Sequence, residues 1–142
     1  MSASTKLSSA VKALCYLSKV FPEPKSSSEI ANYTGINASK LRKILSMMVK
    51  SNIVQSVSGS TGGFILKKEP DQLHLQEIYC SIEDRKAFYL DVHKNHKSDN
   101  DITKLNDFFL NLFADIQVDI EEKMRKIYLK SIIEGISLKQ KI

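Results

Sequence analysis

A mainly α-helical chain carrying one short β hairpin and a long C-terminal helix is predicted by three observations. The stretch from Ser26 to Phe64 reads as helix, tight turn, helix and glycine-rich hairpin. Positive charge is concentrated in the first 70 residues, which hold ten Lys and Arg against three Asp and Glu, whereas residues 71–142 hold eleven against thirteen. From Ile102 to Tyr128, apolar residues recur at helical spacing with Asp, Glu and Lys opposite. The first observation describes a winged helix-turn-helix with a two-stranded β wing, the second a partner that is a polyanion, and the third a dimerisation helix.

The first helix is expected from Ser8 to Phe21, where Ala10, Leu14, Leu17 and Phe21 repeat at steps of four, three and four. Pro22 and Pro24 end it, because proline supplies no amide hydrogen and disfavours a helical residue before it. Ser26 followed by Glu29 has capping-box spacing, in which hydroxyl and carboxylate each satisfy a helix-end amide. Gly35 can take the left-handed backbone that stops this helix, and Asn37 can cap the next only two residues on.

On the following helix Leu41, Ile44, Leu45 and Met48 share one buried stripe. Ser39, Lys40, Arg42, Lys43, Ser46, Met47 and Lys50 fall largely elsewhere, giving a basic, hydrogen-bonding outer face of the size that enters a DNA major groove. Ile53, Val54 and Val57 read as a strand, Ser58 to Gly63 as its turn, and Phe64 to Leu66 as the return. Glycines at the tip allow close approach to a sugar–phosphate wall, with Ser58, Gly59, Ser60, Thr61 and Gly62 offering backbone and hydroxyl donors. The same run is no nucleotide-binding P-loop, since Phe64 stands where that motif needs Lys-Ser/Thr. No aromatic residues interleave the basic face as RNA stacking would ask.

After a break at Glu69-Pro70-Asp71, Leu75, Ile78, Tyr79 and Ile82 form a short amphipathic helix. Residues 91–101 read as a polar loop between a winged domain, 1–90, and a dimerisation helix with tail, 102–142. A helix of about 28 residues would be about 42 Å long, too long for one small domain to cover, so a second subunit is expected along Leu105, Phe109, Leu112 and Ile116. Gly135 is expected to end or bend this helix, and Ser137 to Ile142 to fray.

Composition removes several function classes. The chain has 142 residues, 42% hydrophobic and 26% charged, with no apolar run near the roughly 18 residues of a membrane span and no secretory leader, so it is expected in the cytoplasm. Two cysteines, Cys15 and Cys80, make neither a disulfide framework nor a metal cluster. Any thiol-based redox response must run through them, Cys15 being favoured because its helix supports the recognition elements. His93 and His96 sit among acids but lack the catalytic Glu of a metalloprotease helix, which leaves a solvated loop as the simpler reading. No nucleophile, base and orienting acid converge, and an enzyme is not expected. The alternative class is a protein-interaction module that uses the winged domain and long helix without specific DNA binding.

The motifs SSAVKALCYLS, SSSEIANYTGINASKLRKILSMMVKSNIV, GSTGGFIL and LHLQEIYCSIE together resemble those of the Rrf-two (BadM-type) winged-helix transcriptional regulators, over nearly the whole chain. The resemblance implies a homodimeric transcription factor, most often a repressor, with two winged domains on a near-palindromic duplex DNA operator. By position it assigns Ser39, Lys40, Arg42 and Lys43 to the groove, and Lys6 with Ser58, Gly59, Ser60, Thr61 and Gly62 to the backbone or minor groove. Two departures are visible: Ser58 stands where many relatives carry arginine, and the loop after Asp91 lacks the three cysteines of cluster-binding relatives. This implies a cluster-free member with no cofactor, answering to an unidentified effector.

Overall fold

The computed structural model describes residues 1–83 and 100–140. Six helices and one hairpin follow in the order α1 (Ala3–Val20), α2 (Ser27–Thr34), α3 (Ala38–Lys50), β1 (Val54–Val57), β2 (Gly63–Leu66), α4 (Leu75–Ile82), α5 (Asn100–Arg125) and α6 (Leu129–Gln140). α1 starts earlier than its apolar period suggests because the Ser2 side chain accepts the Thr5 amide and caps it. It ends before Phe21, which takes an extended backbone ahead of Pro22 and is exposed instead of joining the core.

α2 is capped by Ser26, whose Oγ accepts the Glu29 amide at 3.1 Å. Only that half of the expected box is made: the Glu29 carboxylate turns to the Lys25 ammonium, 3.7 Å away. Gly35 has φ +74° and returns its amide to the Ala31 carbonyl at 2.8 Å, closing α2 in the left-handed conformation that glycine takes freely. Asn37 Oδ1 then accepts the amides of Ser39 and Lys40, which starts α3 two residues later. Asn52, at φ +62°, makes the equivalent left-handed exit from α3 into β1, a use of asparagine that the sequence reading passed over.

The hairpin pairs Val54 with Leu66 and Val57 with Gly63, antiparallel and in register. Its return strand also bridges back to Lys25, so the wing is bonded to the segment that enters α2. Leu14 and Leu17 of α1, Ile30 of α2, Leu41, Ile44, Leu45 and Met48 of α3, Ile78 and Ile82 of α4, and Leu129 at the start of α6 meet in one buried cluster. Full burial of such side chains is worth about 1.5–3 kcal/mol each against about 0.5–2 kcal/mol for a cap, so the core taken together outweighs the caps in setting the angle at which α3 is presented.

The C-terminal region departs from expectation in three ways. α5 already begins at Asn100, inside the stretch read as a loop. The rest of that loop, with His93 and His96, lies outside the described residues. The long helix stops at Arg125, not at Gly135. Its backbone is diverted there: the Ile127 carbonyl accepts the Leu75 amide at 2.9 Å, and the Leu129 amide donates to the Leu73 carbonyl at 2.8 Å. α6 then runs through Gly135 and packs against α1, so the expected fraying tail is a helix to Gln140.

Candidate nucleic-acid interface

The amphipathic period of α3 buries Leu41, Ile44, Leu45 and Met48, which forces Ser39, Lys40, Arg42, Lys43, Ser46 and Lys50 outward. All six are exposed, while Met47 is half-buried against the core. Some cations elsewhere are partnered: Lys25 faces Glu23 and Glu29, and Lys68 faces Glu77. Among the described residues no carboxylate comes within ion-pair distance of Lys40, Arg42 or Lys43. These three therefore project positive charge that no acid of the described chain neutralises, on the side of the helix away from the core.

The wing tip is exposed at Ser58, Gly59, Ser60 and Thr61. Gly62 donates its amide to the Gly59 carbonyl at 3.1 Å, and a Cβ there would strike the Val57 carbonyl. The tightness of the turn, not flexibility, thus explains that glycine.

Lys6 is placed differently from the α3 cations. Its Nζ lies 3.1 Å from Glu83 Oε2 and is partly shielded, joining the first turns of α1 to the end of α4. No local signal marks this pairing, since the partners are 77 residues apart.

The cysteines also separate. Cys15 is half-buried in α1, and that burial pushes its thiol pKa up. Cys80 is exposed on α4, with Gln76 Nε2 donating to its sulfur at 3.3 Å. Burial disfavours the Cys15 thiolate, which counts against a redox response at that position.

On α5, Leu105, Phe109 and Leu112 are exposed and Ile116 is half-buried. Phe108, which the sequence reading passed over, is more open than any of them at 59%. Its ring lies edge-on to Phe109, with centroids 5.5 Å apart. The Phe108–Phe109 pair in the sequence was the signal that this stripe is wider than one row.

A protein named as an HTH-type transcriptional regulator, YwnA of Bacillus subtilis (strain 168), is 27% identical over 123 residues, 85% of this chain and 91% of that one. YwgB of the same organism, similarly named, is 30% identical over 81 residues, and the match spans only about half of its length, 52%. Among solved structures, T. potens IscR superposes with a TM-score of 0.69 at 26% identity, over 96% of this chain and 88% of its own. CymR (YrzC), the global cysteine regulator of B. subtilis, shares the fold at a TM-score of 0.68 and 20% identity, over 95% and 98% of the two chains.

A family profile described as "Rrf2: Iron-dependent Transcriptional regulator" matches residues 3–135. The donors for iron do not follow: the two cysteines stand on separate helices, and among the described residues no three His, Cys, Asp or Glu side chains gather as a metal group. The residues described do not fit an iron or iron–sulfur centre. The match nevertheless runs from α1 into α6, and the chain belongs to the Rrf2 family of winged helix-turn-helix transcriptional regulators.

Proposed function

We propose that the chain acts in the cytoplasm as a homodimer that binds a near-palindromic duplex operator and represses transcription from it. The observation that carries this reading is the outer face of α3, where Lys40, Arg42 and Lys43 stand exposed with no carboxylate of the described residues against them. Ser39, Lys40, Arg42 and Lys43, near the N-terminal turns of α3, face the major groove and its base edges. The wing donors from Ser58 to Gly62 hold the sugar–phosphate backbone. Lys6 reaches phosphate only by exchanging Glu83 for it, which makes it a contact of grip and not of sequence.

The second subunit follows from α5. Leu105, Phe108, Phe109 and Leu112 form an exposed apolar row beside the half-buried Phe113 and Ile116, and covering it with the same row of a second copy removes it from water. Two copies so joined present two α3 helices, which matches a two-half-site operator.

Selection of fragments from a genomic library by the purified protein, followed by titration of the recovered duplex at several salt concentrations, tests the reading. The expected result is one recurrent near-palindrome, bound at least about a thousandfold more tightly than scrambled DNA. Recovery of unrelated fragments with equal affinity would overturn it in favour of a protein-interaction module.

A further inference from the structure

We infer that the cleft between α1, α2 and α6 is a binding site for a small amphipathic organic anion, an aromatic or aliphatic body carrying a carboxylate. The cleft is a half-open groove of about 670 Å³, within the range of about 300–1,000 Å³ typical of small-molecule sites. Its lining includes the apolar side chains Val11 of α1 with Ile133 and Ile136 of α6. One wall is aromatic: Tyr16 and Tyr33 stack with centroids 4.1 Å apart at 20°. Tyr33 is an exposed large side chain on an eight-residue helix; Tyr16 covers one face of its ring, and the rest of the exposed ring is left to a guest.

Charge selects the class of guest. Lys12 and Lys19 both line the cleft, two turns apart on α1, and no carboxylate stands among its described lining residues. Lys19 Nζ lies 5.5 Å from the centre of the Tyr33 ring and 3.4 Å from its hydroxyl, so the ring and not an acid holds the ammonium in place. A lining that combines apolar side chains with two lysines and a phenol matches a molecule with an apolar body and one anionic end. The neighbouring cleft, about 590 Å³ beside Pro70, mixes Lys67, Lys68 and Lys130 with Glu69, Asp71 and Glu134 and selects no charge.

The occupant is placed to be felt at the DNA-binding end. Tyr33 and Thr34 close α2, directly before the Gly35 turn that sets α3, while Ile133 and Ile136 belong to the helix that follows α5. A guest that touches both braces the recognition unit against the C-terminal helices. This regulatory consequence, though not the site, rests on the DNA-binding role proposed above.

Calorimetric titration of the full chain with 2-naphthoate and, separately, with its neutral amide 2-naphthamide reads the site with no DNA present. The expected result is one naphthoate per chain, bound about tenfold more tightly than the amide. The double substitution Lys12→Gln, Lys19→Gln then makes acid and amide equal, and Tyr33→Ala weakens both. Thermal melting followed by circular dichroism checks each variant. If the double variant melts early, Lys12→Gln and Lys19→Gln taken singly each reduce the preference. Equal binding of acid and amide by the wild-type chain, a preference that survives both lysine changes, or no binding of either probe up to about 1 mM overturns the site.

With the site filled by 2-naphthoate, affinity for the selected operator shifts about fivefold or more. An unchanged affinity overturns the regulatory link. A chain that takes naphthoate but shows no duplex preference keeps the site and removes the operator-binding reading instead.

Discussion

The backbone of Phe64 is bonded in both directions to that of Lys25: the Phe64 amide donates to the Lys25 carbonyl at 2.8 Å, and the Lys25 amide donates to the Phe64 carbonyl at 3.1 Å. The wing is therefore tied to the residue just before the Ser26 cap of α2. Wing and helix-turn-helix are held as one rigid surface, and Gly63 lies in the seam. A Cβ on Gly63 would collide with the Lys25 carbonyl.

Gly63→Ala is accordingly expected to cost about 1–3 kcal/mol, as an overpacked site does, and to lower the melting temperature by several degrees. Ser60→Ala at the exposed tip should stay within about 0.5 kcal/mol of the wild type. Melting curves of the two variants side by side check this, and equal melting points would show that the seam is loose.

Arg42 and Lys6 should fail in different assays. Arg42→Ala removes an exposed side chain that the fold does not use, so melting should be unchanged, while operator affinity falls by about 1–3 kcal/mol and base preference relaxes. Lys6→Ala breaks the 3.1 Å pair with Glu83, so it should lower stability and weaken all duplexes alike. Titrations on operator and scrambled DNA separate the two, and an Arg42→Ala protein that loses equally on both would misplace the recognition helix.

For the dimer, Leu105→Asp with Leu112→Asp puts two carboxylates into the exposed apolar row of α5. Burying an unpaired charge costs several kcal/mol, so sedimentation should give monomer at micromolar concentration where the wild type gives dimer. Because the row is solvent-facing in the single chain, far-UV circular dichroism should barely change.

Alkaline pH should destabilise the fold through two weak acids, the half-buried Cys15 and the buried Tyr79. Burial raises Cys15 above its ordinary value of 9.0, and burial followed by Glu83 raises Tyr79 above 10.0. Both groups thus ionise at lower pH when the chain is unfolded. Their contribution is fully present below about pH 9 and declines as pH rises through 9 and 10 towards the folded-state values. Cys15→Ser with Tyr79→Phe should flatten urea midpoints between pH 9 and pH 11 relative to the wild type. At pH 7 iodoacetamide should alkylate exposed Cys80 well before Cys15, and mass spectrometry of a time course shows the order.

Local chemistry made the DNA-binding half readable from the sequence. Gly35 and Asn37 fix the turn by their own backbone and side-chain preferences, and the spacing of Leu41, Ile44, Leu45 and Met48 fixes which face α3 buries. The C-terminal half was less readable because its decisive bonds are remote. Neither proline nor glycine marks the end of α5; the break arises where Ile127 and Leu129 exchange helical hydrogen bonds for partners at Leu75 and Leu73. The same holds for Lys6, since a lysine that meets Glu83 cannot be told from a free one by its neighbours in the chain. Cys15 lies beside the apolar period of α1, which places it at the edge of the core and not within it, and it is half-buried there.

That return has a consequence for synthesis in the cell. Leu129 is fully enclosed in a core otherwise assembled from residues 10–82. While the chain is being made, the recognition helix and wing leave the ribosome long before the side chain that completes their interior. A newborn protein therefore holds an open seat in its core until α6 emerges. A product cut short at residue 128 would carry every DNA-contacting side chain proposed above, yet it would lack the plug that keeps them at the right angle.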